Sequence, residues 1–235
     1  MVTIDKIFHA SVVLKDIIRP TPLAKAYGIA EDCKLYLKPE CLQKTGSFKL
    51  RGSGYKIAML SEEEKARGVI ACSAGNHAQS VALAASKCGI SSLICLPDTA
   101  PISKVEATKG YGAQVCLVPG VYDDAYNKAL ELKEERGYTF VHPFDDEYVI
   151  SGQGTIGLEI MNEMSDVDAV IVPIGGGGLI SGVACAIKSI SPHVKVYGVQ
   201  AAGAPSMFNA VNHGHMEALE KVSTIADGIA VKKPG

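Results

Sequence analysis

The chain has 235 residues, 47% of them apolar and 20% charged, with a net charge of −2. That length suits one large domain or two small ones, and the apolar share supplies a core and excludes a disordered chain. The mixed, near-neutral charge offers no basic surface, no apolar run reaches transmembrane length, and the N-terminus lacks a signal peptide's apolar core, so neither nucleic acid nor membrane is expected as a partner.

In chain order, Leu35–Leu37 reads as a strand and Phe48–Leu60 as a helix. Val69–Cys72 is the next strand, followed by a helix over Asn76–Cys88 that carries Ala78, Val81, Ala82 and Ala85 on one face. Leu93–Leu96 is a strand; Pro101 starts a helix that Gly110 or Gly112 ends. Gln114–Val118 is a strand, Tyr122–Glu135 a helix with Tyr122, Ala125, Tyr126 and Ala129 inward, and Tyr138–Val141 a short strand. This alternation predicts a parallel sheet covered by helices, with right-handed crossovers. A second α/β unit follows: helix Thr155–Met164, strand Ala169–Ile174, helix Leu179–Ile190 and strand Lys195–Val199. The seven cysteines (Cys33, Cys41, Cys72, Cys88, Cys95, Cys116 and Cys185) are dispersed, without C-x-x-C spacing. They read as small core side chains of a reduced, cytoplasmic protein with no metal site.

Three segments carry chemistry. Lys49 follows the small-residue turn Thr45-Gly46-Ser47 and an aromatic neighbour, Phe48. That setting suits an amine held in a pocket, its pKa lowered until it attacks a carbonyl, although the stretch alone also suits a surface loop. Ser73-Ala74-Gly75-Asn76-His77 follows one strand, and Gly175-Gly176-Gly177-Gly178 follows another. Both are strand–turn–helix patterns that place backbone N–H groups at a helix N-terminus, where an anion binds. Ser73 or Asn76 could equally cap its helix. The glycine run is not G-x-G-x-x-G, and Gln200 rather than an acid closes the next strand, which argues against a dinucleotide.

An amine, an Asn/Ser loop and a phosphate cradle, in that order, fit a pyridoxal phosphate (PLP) enzyme. With Arg19-Pro20-Thr21-Pro22-Leu23 and Asp227-Gly228-Ile229-Ala230, the chain resembles the threonine dehydratase (threonine ammonia-lyase) and serine racemase group of fold type II PLP enzymes, related to the tryptophan synthase beta chain. The resemblance implies an α/β fold of two parallel-sheet domains. Residues 1–67 and 146–235 would form the large PLP-binding domain, incomplete at the C-terminus relative to the family, and residues 68–145 a small mobile one. It implies Lys49 as covalent anchor of PLP and then general base, with Phe48 on the cofactor ring or simply in the core. Asn76 would face the 3′-oxygen, and Gly175, Gly176, Gly177, Gly178 and Leu179 the phosphate. Ser73, Ala74, Gly75, Asn76 and His77 would bind the substrate, with His77 the weakest member. Arg51 is expected to be an ion-pair partner. His142–Asp146 and Gln153–Thr155 are expected at hinge and packing positions, and Asp227-Gly228 in a turn near the cofactor.

Racemases of this group carry a second serine where this chain has Ala74, and acidic metal ligands where it has Gln200, Ala204 and Ser206. Elimination is therefore expected over racemisation, with no metal. The implied activity is an L-threonine (and L-serine) dehydratase, cytoplasmic and a homodimer or homotetramer. Serine racemase, threonine synthase and an inactive truncated PLP-binding fragment remain as alternatives.

Overall fold

The computed structural model describes residues 1–235. The chain opens with helix α1 (Ile4–Val13), strands β1 (Ala24–Lys25) and β2 (Tyr36–Leu37), and helices α2 (Lys49–Ala58) and α3 (Glu62–Arg67). It continues through β3 (Val69–Cys72), α4 (Asn76–Lys87), β4 (Ser92–Pro97), α5 (Ile102–Gly110), β5 (Gln114–Val118), α6 (Tyr122–Arg136) and β6 (Thr139–Phe140). Helix α7 (Glu147–Glu163), β7 (Ala169–Pro173), α8 (Gly178–Ile190), β8 (Lys195–Val199) and α9 (Ser206–His213) complete it.

Strands β3 to β6 form a four-stranded parallel sheet in the order β5-β4-β3-β6. Alternate residues of β3 and β4 serve opposite faces, as the two-residue strand period requires. Val69, Ala71, Ile94 and Leu96 pack with Ala78, Val81, Ala82 and Ala85 of α4. Ile70, Cys72, Leu93 and Cys95 pack with Ala125, Ala129 and Leu132 of α6. Every residue of β3 and β4 is buried, as a sheet covered on both sides demands. Of the inward set expected on α6, Ala125 and Ala129 are fully buried, but Tyr122 is 45% exposed. It stands in the first turn and only stacks on Tyr126, 6.2 Å between ring centroids.

Strands β7 and β8 form a separate parallel pair, and β1 and β2 a small antiparallel ribbon. Helix α7 is the spine between the halves of the site. It begins at Glu147, two turns before the expected Thr155, because the Asp146 side chain accepts from the Tyr148 and Val149 N–H groups at 2.8 and 3.1 Å. Its glycines are close-approach positions, not breaks. A Cβ on Gly152 would come within 2.4 Å of the Arg51 carbonyl on α2, and one on Gly182 of α8 within 2.2 Å of the Ile150 carbonyl. Both site-bearing helices thus dock directly on the α7 backbone.

Arg51 locks this junction. It is fully buried and donates to both oxygens of Glu40 (2.8 Å each), both of Glu159 (2.6 and 3.0 Å) and to Thr155 Oγ1 at 3.2 Å. All five guanidinium N–H groups have partners. Lys38 extends the network to Glu159 and Glu163 at 2.8 and 2.9 Å. Arg51 is therefore the ion-pair residue expected from the sequence. No helix is long and apolar enough to cross a membrane.

Candidate active site

Lys49 is the first residue of α2, and its own N–H is held by Ser47 Oγ at 3.2 Å. Its Nζ donates to the Pro143 carbonyl at 2.6 Å and lies 5.4 Å from the centre of the Phe48 ring. It forms no ion pair, whereas Lys38 and Arg51 are both paired with carboxylates. Burial without a carboxylate disfavours the ammonium and lowers the Lys49 pKa from 10.5 to about 8. A usable fraction of neutral amine is then present near neutral pH, as a nucleophile or a base needs.

The glycine run connects β7 to α8. Gly177 has φ +98° and caps the helix, a conformation glycine adopts without strain. The N–H groups of Gly175, Gly176 and Gly177 donate to no protein acceptor. They precede the first turn of a 13-residue helix, whose leading N–H groups are free by construction. The Phe144 ring fills the space where a Gly176 Cβ would stand, 2.3 Å from it. Phe48, Lys49, Phe144, Gln153, Gly175–Gly178 and Leu179 line one cleft with about 460 Å³ of empty space, part of it open to solvent. Unpaired donors beside an uncompensated amine make it receptive to an anion bearing a carbonyl. Residues and group fit: the cradle suits a phosphate and the amine an aldehyde.

The Ser73–His77 loop lies outside the wall of this cleft, at the start of α4. Gly75 N–H donates to Ser73 Oγ at 3.1 Å, Asn76 is exposed, and Ala74 packs against the core under α4. The buried Thr45 and Ser80 hydroxyls, 3.1 Å apart, link α4 to the turn before Lys49. His77 is buried with Nε2 2.8 Å from the Val141 carbonyl, so that nitrogen carries the proton. Burial, and then the Lys49 charge, push its pKa down to about 3, leaving a neutral packing residue.

Several cleft residues lie in the segments expected at hinge and packing positions. Pro143 supplies the Lys49 acceptor, and Phe144 closes on the glycines. His142 Nδ1 shapes their turn, accepting from the Phe144 and Asp145 N–H groups at 3.3 and 2.7 Å. Gln153 is the other cleft residue of this kind. Gly228, from the Asp227-Gly228 turn expected near the cofactor, also lines the cleft, as does Ile229 beside it.

Fold and cleft together define a class: the chain belongs to the pyridoxal-phosphate dependent enzyme family, whose pattern matches residues 14–235. Over its whole length it is 54% identical to an L-threonine ammonia-lyase of Thermotoga maritima, and it spans 59% of that relative. The processed threonine deaminase isoform 2 of Solanum lycopersicum superposes with a TM-score of 0.93 at 42% identity, covering 98% of this chain and 69% of that one. Maize serine racemase superposes with a TM-score of 0.96 at 38% identity, covering 100% and 71%.

Proposed function

We propose that this chain carries the PLP site of an L-threonine (and L-serine) dehydratase that forms 2-oxobutanoate or pyruvate and ammonia. The observation that carries the reading is the uncompensated Lys49 amine in one cleft with the free N–H groups of the glycine run. When bound, PLP supplies the electron sink for charge left at the substrate Cα. Lys49 anchors it and then, as the neutral amine, takes the Cα proton. The N–H groups of Gly175–Leu179 would hold the phosphate, and Phe48 would pack on the ring. With the 68–145 domain closed onto the cleft, Asn76 would face the 3′-oxygen, and Ser73, Ala74, Gly75, Asn76 and His77 would supply the carboxylate loop, its N–H groups at a helix N-terminus where the dipole favours an anion. Residues 1–67 with 146–235, and 68–145, act as the two domains. The relatives named above support threonine as substrate. Seven free thiols suit a cytoplasmic protein, and a homodimer or homotetramer is the expected state.

The serine racemase likeness favours a second reading, racemisation. Ala74 weighs against it, because an alanine cannot donate a proton to the opposite face. The test is incubation with PLP and L-threonine or L-serine, with 2-oxo acid, ammonia and D-serine measured together. Ammonia and 2-oxo acid in equal amounts are the expected result; D-serine as main product would establish the racemase. Gly176→Ala is expected to weaken PLP binding by about tenfold or more, because overpacking against Phe144 costs about 1–3 kcal/mol. Gly175→Ala, whose Cβ would meet Val231 at 3.1 Å, is expected to change it much less in the same absorbance titration.

A further inference from the structure

Gln153 lies in the second turn of α7 and is 1% exposed. Its Oε1 accepts from the Gly52 N–H at 3.2 Å. A backbone N–H can only donate, so this bond decides which end of the amide faces α2 and which end is the NH2. That NH2 lies against the Gly52 Cα, in space that exists only because residue 52 has no side chain: a Cβ there would be 2.5 Å from Nε2. Nε2 donates to no protein acceptor. No fully enclosed side-chain nitrogen or oxygen in the chain lacks a partner, so Nε2 keeps contact with open space, and Gln153 lines the Lys49 cleft. The Pro143 carbonyl accepts from Lys49 and makes no bond with Nε2. A held amide with two spare donors, in a cleft that also holds the Lys49 amine and the free N–H groups of the glycine run, is matched to an oxygen anion.

We infer that Gln153 is a further binding residue of the cleft: its NH2 donates to an anionic oxygen of the bound cofactor, and its Oε1 ties that contact to the helix carrying Lys49. The inference rests on the reading of the cleft as a PLP site. The oxygen is either on the phosphate or on the ring, and both are oxygen anions of one ligand.

The test uses the 235-residue chain and its Gln153→Glu variant, titrated with PLP, with pyridoxal and with inorganic phosphate. Glutamate keeps an oxygen for Gly52 but replaces the NH2 by a carboxylate, so the unfolding temperature is expected to fall with the buried charge while the chain still folds, and PLP affinity falls by about tenfold or more. Lowering the pH should restore part of the loss as the carboxyl regains a proton to donate. Loss toward PLP and phosphate alone places the contact on the phosphate; loss toward PLP and pyridoxal alone places it on the ring. If the variant does not fold, the side-chain NH2 resonance of Gln153 in the wild-type chain decides. It should shift, and its hydrogens should exchange more slowly, on adding PLP. A wild-type chain that binds PLP with Gln153→Glu equal to it, or with an unmoved NH2 resonance, overturns this inference alone. A wild-type chain that binds none of the three probes overturns the PLP reading with it.

Discussion

In Lys49→Met the visible absorption band of lysine-bound PLP and the formation of 2-oxobutanoate from L-threonine are both expected to vanish, while the PLP-free protein becomes more stable at neutral pH. The first effect follows from removing the only amine in the cleft. The second follows from linkage. The folded state holds the Lys49 pKa near 8, against 10.5 for an ordinary lysine, because burial disfavours the ammonium. Below pH 8 both folded and unfolded chains carry the charge, and the folded one bears the whole desolvation cost. Between 8 and 10.5 the folded amine is neutral and the unfolded one still gains its proton, so the cost shrinks; above 10.5 it is gone. A shift of this size corresponds to at most about 3 kcal/mol, and the lost bond to the Pro143 carbonyl offsets part of it. Urea unfolding of both chains at pH 7 and at pH 10.5 checks the sign. A gain equal at both pH values would sink the buried-amine account, and a variant that still makes 2-oxobutanoate at the wild-type rate would sink the assignment of Lys49.

The sequence displays most clearly those features whose cause is local. Val69–Cys72 and the strand around Leu93–Leu96 are continuous apolar runs, as strands buried on both faces must be. The Lys49 turn and the glycine run announce themselves through small residues at chain reversals. Helix α3 carries a local signal that apolar periodicity does not register. Ser61 and Glu64 form a reciprocal capping box at 2.8 and 3.2 Å, but the helix is too short to show an apolar face. The first two turns of α7 were hidden for a different reason. Gly152 and Gly154 have low helix propensity, and their role, letting other backbones approach, shows only in the tertiary fold. Phe144 and Gln153 were hidden likewise. A phenylalanine beside an Asp pair, or a glutamine between glycines, gains a role only when the fold brings it to a loop far along the chain.

Arg51→Met is expected to cost about 3–5 kcal/mol at neutral pH, the range found when one partner of a buried ion pair is removed. Methionine fills much of the arginine volume, so the loss reports charge rather than a cavity. Glu40 and Glu159 would then face each other across an apolar side chain, with the Thr21 hydroxyl (2.6 Å to Glu40) and Lys38 (2.8 Å to Glu159) as their remaining partners. In the wild type, burial pushes the Glu159 pKa up, but Arg51 and Lys38 more than offset it and hold it below the usual 4.5. That stabilisation is present above the unfolded pKa and is lost as pH falls through the lower folded value. The gap between wild type and variant should therefore be widest near neutral pH and narrow in acid, where the stranded carboxylates of the variant take up protons. Adding Glu159→Gln to Arg51→Met should recover part of the loss, because the amide removes one of the two buried charges. Urea titrations from pH 4 to pH 7 measure both effects. A gap independent of pH, unrelieved by Glu159→Gln, would mean that Arg51 acts by filling space; a narrowing gap makes the buried charges the reason that the helix beginning at Lys49 stays seated on α7.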